Sequence, residues 1–339
     1  MMDITWKTYE LRLKHAFRIS RSVRSIAPVV IVELLHDGIL GRGESSPNAR
    51  YNESPESVAA FLSMLDMKQF ADPFAVSDIL SYVEQRAPGN SSAKCAIDIA
   101  LHDWIGKKVG LPVYKYLGLP SKVKAISSFT IGIDSLDVIA QKVAEAEEYP
   151  VLKVKLGSPE DKEIIQTIRG LTSKVLRVDA NEGWKDRETA LAMITWLAGQ
   201  NVEFVEQPMP ASQLEDLCWL KSRSPLPLVA DESVVRLSDL PKLAAAFHGI
   251  NIKLMKCTGL HEAMKMIHTA EALGLSVMLG CMIESAVGIS AVAQLASAAD
   301  YLDLDGNVLI EDDPFSGSRN RGGRVEPMEL PGIGAEIAD

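Results

Sequence analysis

Apolar and polar residues alternate with a period of two from Ile4 to Gly43, and VVIVELLHDGILGRGE reads as two strands joined by a turn at Asp37-Gly38. The pattern predicts an antiparallel β opening. From Ser54 to Val109 the signals turn helical: Ser54 stands before Pro55 and Ser57 as an N-terminal cap, and NSSAKCAIDIALHDWIGKKVG carries apolar residues at helical spacing. A strand meander followed by helices predicts a separate α+β domain over residues 1–118. After Leu119-Pro120 short apolar segments (ISSFTIG, VLKVKL, VLRVDA, FVEQP, LVADE, GINIKL, SVMLG) alternate with helical stretches such as SLDVIAQKVAEAEE and HEAMKMIHTAEALG. Apolar strands joined by helices build a parallel sheet, and about seven of them with right-handed crossovers close most naturally into an α/β barrel, here expected over residues 119–309. The Gly- and Pro-rich remainder, residues 310–339, is expected to return to the first domain.

Five of the barrel segments end in charge. VLKVKLG, LRVDANEGW, EFVEQP, LPLVADES and INIKLMK place Lys155, Asp179, Glu206, Asp231 and Lys253 at successive strand ends, spaced by 24, 27, 25 and 22 residues. A period in the twenties is about one strand, one helix and two short loops, the repeat of a β/α barrel. Active sites of this architecture lie at the C-terminal strand ends, so the five charges are expected to converge there.

Lys153 and Lys155 sit two apart, so on a strand both side chains enter the barrel mouth from one face. An isolated KVK reads as an edge strand with solvated lysines. Val151, Leu152, Val154 and Leu156 instead make this strand buried on both faces, where lysine is rare without a partner or a role. Adjacent ammonium groups are expected to depress each other's pKa, which suits a general base. Any one of Asp179, Glu206 and Asp231 alone reads equally well as a helix cap. Three at a barrel period repel one another unless a hard cation neutralises them, and oxygen ligands select Mg²⁺, with Mn²⁺ able to substitute. Asn181 and Glu232 stand beside these ligands as supports. On INIKLMK, Asn251 and Lys253 share one face, so Lys253 points inward and Lys256 is assigned to the following loop. Lys155 and Lys253 then lie on opposite sides of the acidic strands.

The rest of the composition narrows the field. A net charge of −10 spread without a basic stripe argues against nucleic-acid or anionic-membrane partners. The N-terminus lacks the basic-then-apolar pattern of a signal peptide, no apolar run is long enough for a membrane span, and the four cysteines are scattered without CxxC spacing and are expected to be reduced. A cytoplasmic small-molecule enzyme is the simplest expectation.

The Lys-x-Lys, Asp, Glu, Asp, Lys order resembles the enolase superfamily, in its muconate lactonizing enzyme subgroup. The resemblance implies a modified TIM barrel, (β/α)7β, under an N-terminal capping domain, with Lys155 and Lys253 as catalytic bases, Lys153 beside them, and Mg²⁺ on Asp179, Glu206 and Asp231. Within the subgroup the chain most resembles dipeptide epimerases of the L-Ala-D/L-Glu kind, because YLDLDG sets Asp303 and Asp305 two apart, facing one way. In that group such a pair holds the substrate's α-ammonium. FRISRSVRS and ESSPNARYNES match the family's specificity loops, which makes Arg21, Arg24 and Arg50 candidates for a substrate carboxylate, Arg24 foremost. What the resemblance implies is epimerisation of a dipeptide at its C-terminal residue, through an enolate, in cell-wall peptide metabolism. Rival readings are N-acylamino acid racemase, o-succinylbenzoate synthase, muconate cycloisomerase, and a non-catalytic metal- or ligand-binding barrel. Asp303 and Asp305 argue against the first three, whose substrates carry no ammonium. Assemblies are common in the superfamily, so a homo-oligomer is among the expectations. Relatives often have Gly-Gly where this chain has Thr258-Gly259, which marks that loop as divergent.

Overall fold

The computed structural model describes residues 1–19 and 22–338. Its first three strands, β1 (Asp3–Ile19), β2 (Ser22–His36) and β3 (Ile39–Ser45), form an antiparallel meander. Asp37 (φ 49°) and Gly38 (φ 73°) both take the left-handed conformation that a two-residue hairpin turn requires. The alternation of β2 is used on both faces. Val30, Val32 and Leu34 pack under the capping helices, whereas Ala27 and Val29 join Ile283 and Ile310 of the other half of the chain.

Three helices cover this sheet: α1 (Pro55–Ser63), α2 (Val76–Arg86) and α3 (Ser91–Val109). Ser54 and Ser57 cap α1 reciprocally, each hydroxyl accepting the other's backbone N–H. Helix α3 is buried from Ser92 to Gly106 because it is pressed between β3 and the barrel. Glycine makes that approach feasible. A Cβ at Gly43 would stand 1.9 Å from the Ala96 carbonyl oxygen, and one at Gly41 2.2 Å from that of Ala100.

The second half is an eight-stranded parallel sheet in sequential order: β4 (Phe129–Ile131), β5 (Val151–Lys155), β6 (Val175–Asp179), β7 (Val202–Glu206), β8 (Leu228–Ala230), β9 (Gly249–Lys253), β10 (Ser276–Gly280) and β11 (Tyr301–Asp303). The sheet closes on itself. Ser128 N–H donates to the Leu302 carbonyl at 3.2 Å, and Leu304 N–H to Ser127 Oγ at 2.9 Å. Helical segments follow each of the first seven strands and none directly follows the eighth, so the barrel is (β/α)7β.

The two halves are fastened by carboxylates. From β3, Glu44 accepts the N–H groups of Ser285 (2.9 Å) and Gly288 (3.0 Å), at the start of the helix Ala286–Ala293. From α3, Asp98 accepts those of Leu260 and His261, at the start of the helix Leu260–Ala272. Each carboxylate meets the positive end of a barrel helix. The tail, with its short strands β12 (Phe315–Ser316) and β13 (Glu336–Ile337), runs back over the first domain. Ile310 bridges Leu13, Asp312 pairs with Arg12 at 2.9 Å, and Ile333 N–H donates to Asp103 at 2.9 Å. All four cysteines are free, and among the described residues no helix is long and apolar enough to cross a membrane.

Candidate active site

Register brings the charged strand ends to one level. Lys155 pairs with Asp179 across β5–β6, Asp179 with Glu206 across β6–β7, and Gly280 of β10 lies between Lys253 and Asp303. Asp231 follows the last residue of β8 directly. The result is a ring at the C-terminal rim of the barrel, under the capping domain. One carboxylate oxygen from each of Asp179, Glu206 and Asp231 lies within 4.8 Å of the others, and all three residues are buried.

The lysines occupy this cage. Lys155 Nζ is 2.6 Å from Asp179 Oδ2, and Lys253 Nζ is 2.8 Å from Asp231 Oδ2. Lys153 Nζ touches Glu206 Oε2 and Asp303 Oδ2 at 2.6 Å each, with Asp179 Oδ2 at 3.2 Å. Burial alone would lower the pKa of Lys153 and Lys253, but the carboxylates outweigh it and hold both ammonium groups above their ordinary range. For Lys153 this corrects the expectation that neighbouring lysines depress one another: it stands among three carboxylates before it meets a second ammonium. The acids divide accordingly. Burial would raise Asp179, yet Lys155 and Lys153 bring it down to about 2. Glu206 is pushed up to about 7 by burial and by the charge of Asp179, which Lys153 does not offset. An all-oxygen donor set that holds ammonium groups in this way, with one member still unfavourably charged, fits a hard divalent cation.

Lys256 is corrected. It is not a loop residue but lies in the one-turn helix Leu254–Cys257, buried, with Nζ 2.6 Å from both Asp231 Oδ1 and the Asp231 carbonyl and 3.1 Å from the Asn251 carbonyl. Asn251, on the inward face beside Lys253, donates from its Nδ2 to Glu206 Oε1 at 2.7 Å, a contact that strand alternation alone does not reveal. The signal for Lys256 was its spacing of three from Lys253, a helical interval. Asn181 N–H donates to Asp179 Oδ1 at 2.9 Å, and Asn181 Nδ2 to Glu232 Oε1 at 3.3 Å, so both flanking residues lie at the ring.

Asp303 and Asp305 reach the same cavity, of about 90 Å³, with Lys155, Lys253 and Arg24 in its walls. Asp303 Oδ1 accepts from Ser128 Oγ at 2.6 Å and Asp305 Oδ2 from Thr130 N–H at 2.7 Å. Burial and the charge of Asp303 push Asp305 up to about 6. Arg50 is engaged with the barrel: its Nη2 contacts both oxygens of Glu182 at 3.0 and 3.1 Å, bridging the first domain to the second. Arg21 lies outside the described residues. A larger cavity, about 730 Å³, stands alongside and shares Phe17, Thr130 and Leu309 with the first, but the acidic ring is not in its walls.

A capped (β/α)7β barrel whose rim sets three buried carboxylates between opposed lysines is the frame of a metal-assisted proton-transfer enzyme. The chain belongs to the mandelate racemase/muconate lactonizing enzyme family: residues 3–118 match its N-terminal domain, and residues 136–339 match the family described as enolase C-terminal domain-like. An L-Ala-D/L-Glu epimerase from Bacteroides thetaiotaomicron is 49% identical over 334 residues, covering 98% of this chain and 87% of that protein. Among solved structures, a dipeptide epimerase from Enterococcus faecalis complexed with Mg and L-Leu-L-Tyr superposes with a TM-score of 0.92 at 32% identity, covering 98% of each chain. The N-succinyl Arg/Lys racemase from Bacillus cereus superposes with a TM-score of 0.93 at 29% identity, covering 99% of this chain and 95% of that one.

Proposed function

We propose that this chain is a dipeptide epimerase that inverts the C-terminal residue of its substrate by moving one α-proton between two lysines. The observation that carries the reading is the pair Lys155 and Lys253, each within 3 Å of a different carboxylate of the same ring and both in the wall of one cavity. The similarity to an L-Ala-D/L-Glu epimerase and to a dipeptide epimerase holding Mg and a dipeptide supports it. Asp179, Glu206 and Asp231 would hold Mg²⁺, which when bound supplies the positive charge that stabilises negative charge developing as the α-proton leaves. Lys155 and Lys253 take and return the proton from opposite faces. Lys153, fixed between Glu206 and Asp303, acts as a stationary charge rather than a third base. Asp303 and Asp305 receive the substrate's ammonium, and Arg24 meets a carboxylate on the side chain of the inverted residue. The capping domain of residues 1–118 closes the mouth of the barrel of residues 119–309, and residues 310–339 tie the two. A role in the cytoplasmic turnover of cell-wall peptides follows from an Ala-Glu preference.

Incubation of L-Ala-L-Glu and related dipeptides in D₂O with Mg²⁺ should place deuterium at the α-carbon of the C-terminal residue. No exchange in any dipeptide would sink the reading. Lys155→Ala and Lys253→Ala should each abolish epimerisation; full two-way turnover by Lys253→Ala would remove the second base. The likeness to N-succinyl Arg/Lys racemase favours one alternative, racemisation of N-acylated amino acids, in which Asp303 and Asp305 would have no cation to receive. Exchange into an N-succinyl amino acid faster than into any dipeptide would favour it.

A further inference from the structure

The catalytic cavity, of about 90 Å³, is narrow beside the one next to it. Phe17, Thr130 and Leu309 form a wall common to the catalytic cavity and the neighbouring one of about 730 Å³. That wall is built on the segment that carries the two aspartates: Thr130 N–H donates to Asp305 Oδ2, while Val308 and Leu309 N–H donate to the Asp305 carbonyl at 2.8 and 3.3 Å. An ammonium held by Asp303 and Asp305 therefore places its own α-carbon within a side chain's reach of the larger cavity.

The walls of that cavity are not neutral. Phe129 and Tyr149, with ring centroids 4.8 Å apart, give it an apolar side. Lys14, Lys142, Arg319 and Arg321 face two carboxylates, Glu145 and Glu148, an excess of positive charge on a chain of net charge −10. Lys142 is paired with Asp134, and Glu145 with His15. Arg319 and Arg321 are exposed and, among the described residues, in no salt bridge. An apolar stem with a terminal anion is the side chain that such walls complement.

We propose that the larger cavity is the subsite for the side chain of the substrate's amino-terminal residue, and that Arg319 and Arg321 make it select an acidic one. This rests on the epimerase reading. It extends the enzyme's range from an amino-terminal alanine to an amino-terminal glutamate, and makes the returning tail a specificity element.

The test is the initial rate of α-deuterium incorporation in D₂O with Mg²⁺, for dipeptides with amino-terminal L-Ala, L-Glu, L-Leu or L-Lys before L-Glu and, in parallel, before L-Ala. Wild-type kcat/KM should favour amino-terminal Glu over Lys by about tenfold, the size expected of two exposed charge contacts. The double variant R319A/R321A should lose that preference while keeping its rate on L-Ala-L-Glu. R324A, which lies outside the cavity, should keep both. A wild-type preference for Leu or Lys, or a preference for Glu that survives R319A/R321A, overturns the subsite and leaves the epimerase reading standing. Absence of exchange from every dipeptide overturns both.

Discussion

Two buried carboxylates at the seam between the domains set a pH limit on stability. Glu44 accepts from Ser285 and Gly288, Glu284 Oε1 accepts from Met282 N–H at 2.7 Å, and both acids converge on Gly288, where an added Cβ would stand 2.4 Å from Glu284 Oε2. Burial pushes Glu44 up to about 7, Asp313 adding to it, and burial with the charge of Glu44 pushes Glu284 up to about 8, with Lys253 opposing. In the unfolded chain both titrate near 4.5. Between pH 4.5 and 8 the folded state thus keeps protons that the unfolded state has released. Its stability from this pair is complete below that window and is lost as pH rises through it. At about 1.4 kcal/mol per pKa unit, Glu284 alone accounts for on the order of 5 kcal/mol. Glu284→Gln keeps the acceptor for Met282 and removes the ionisation. Thermal unfolding from pH 5 to pH 9 should therefore show a melting temperature that falls more steeply in the wild type than in the variant, by on the order of 10 °C. Parallel profiles would refute the assignment.

Lys256→Met should destabilise the fold by about 3–5 kcal/mol in urea titrations, because it strips one oxygen of buried Asp231 of its cation. Thr258, a β-branched residue held at φ 70°, makes Thr258→Gly the opposite case, with an expected gain of about 1 kcal/mol by the same measurement. Mg²⁺ at a hundredfold its Kd should stabilise the wild type by about 2.7 kcal/mol, read as a saturable thermal shift that EDTA reverses and Asp231→Asn abolishes. An equal shift in Asp231→Asn would place the cation elsewhere.

Much of this site was readable because parallel barrel strands are buried on both faces. A Lys or an acid at the end of VLKVKLG or EFVEQP therefore stands out against its apolar run, and the period of the runs gives the circle on which they meet. The α/β barrel, the antiparallel opening and the Ser54 cap follow from the same local patterns, whereas its (β/α)7β form comes from the family resemblance. What stayed hidden depended on partners remote in sequence. Lys256 is expected in a loop because the strand pattern of INIKLMK ends at Lys253, whereas the chain turns there into a single helical turn. Arg50 looked available because Glu182, its partner, lies 132 residues away. The charge state of Lys153 was misjudged for the same reason: Asp303, at 2.6 Å, is 150 residues distant, and only barrel closure brings it near.

The fastening of Asp103 has a consequence for how the molecule is made. This aspartate sits in the helix of the first domain, yet it accepts the N–H of Ile333, 230 residues later, and a Cβ at Gly332 would meet its carboxylate at 2.1 Å. At synthesis rates of about 5–20 residues per second, that helix waits roughly 10–50 s on the ribosome before its last partner emerges. During that interval Asp103 holds only its near partners, the Arg42 N–H at 2.8 Å and Lys107 Nζ at 2.7 Å. The first domain is thus begun early and gains its contact with Ile333 late.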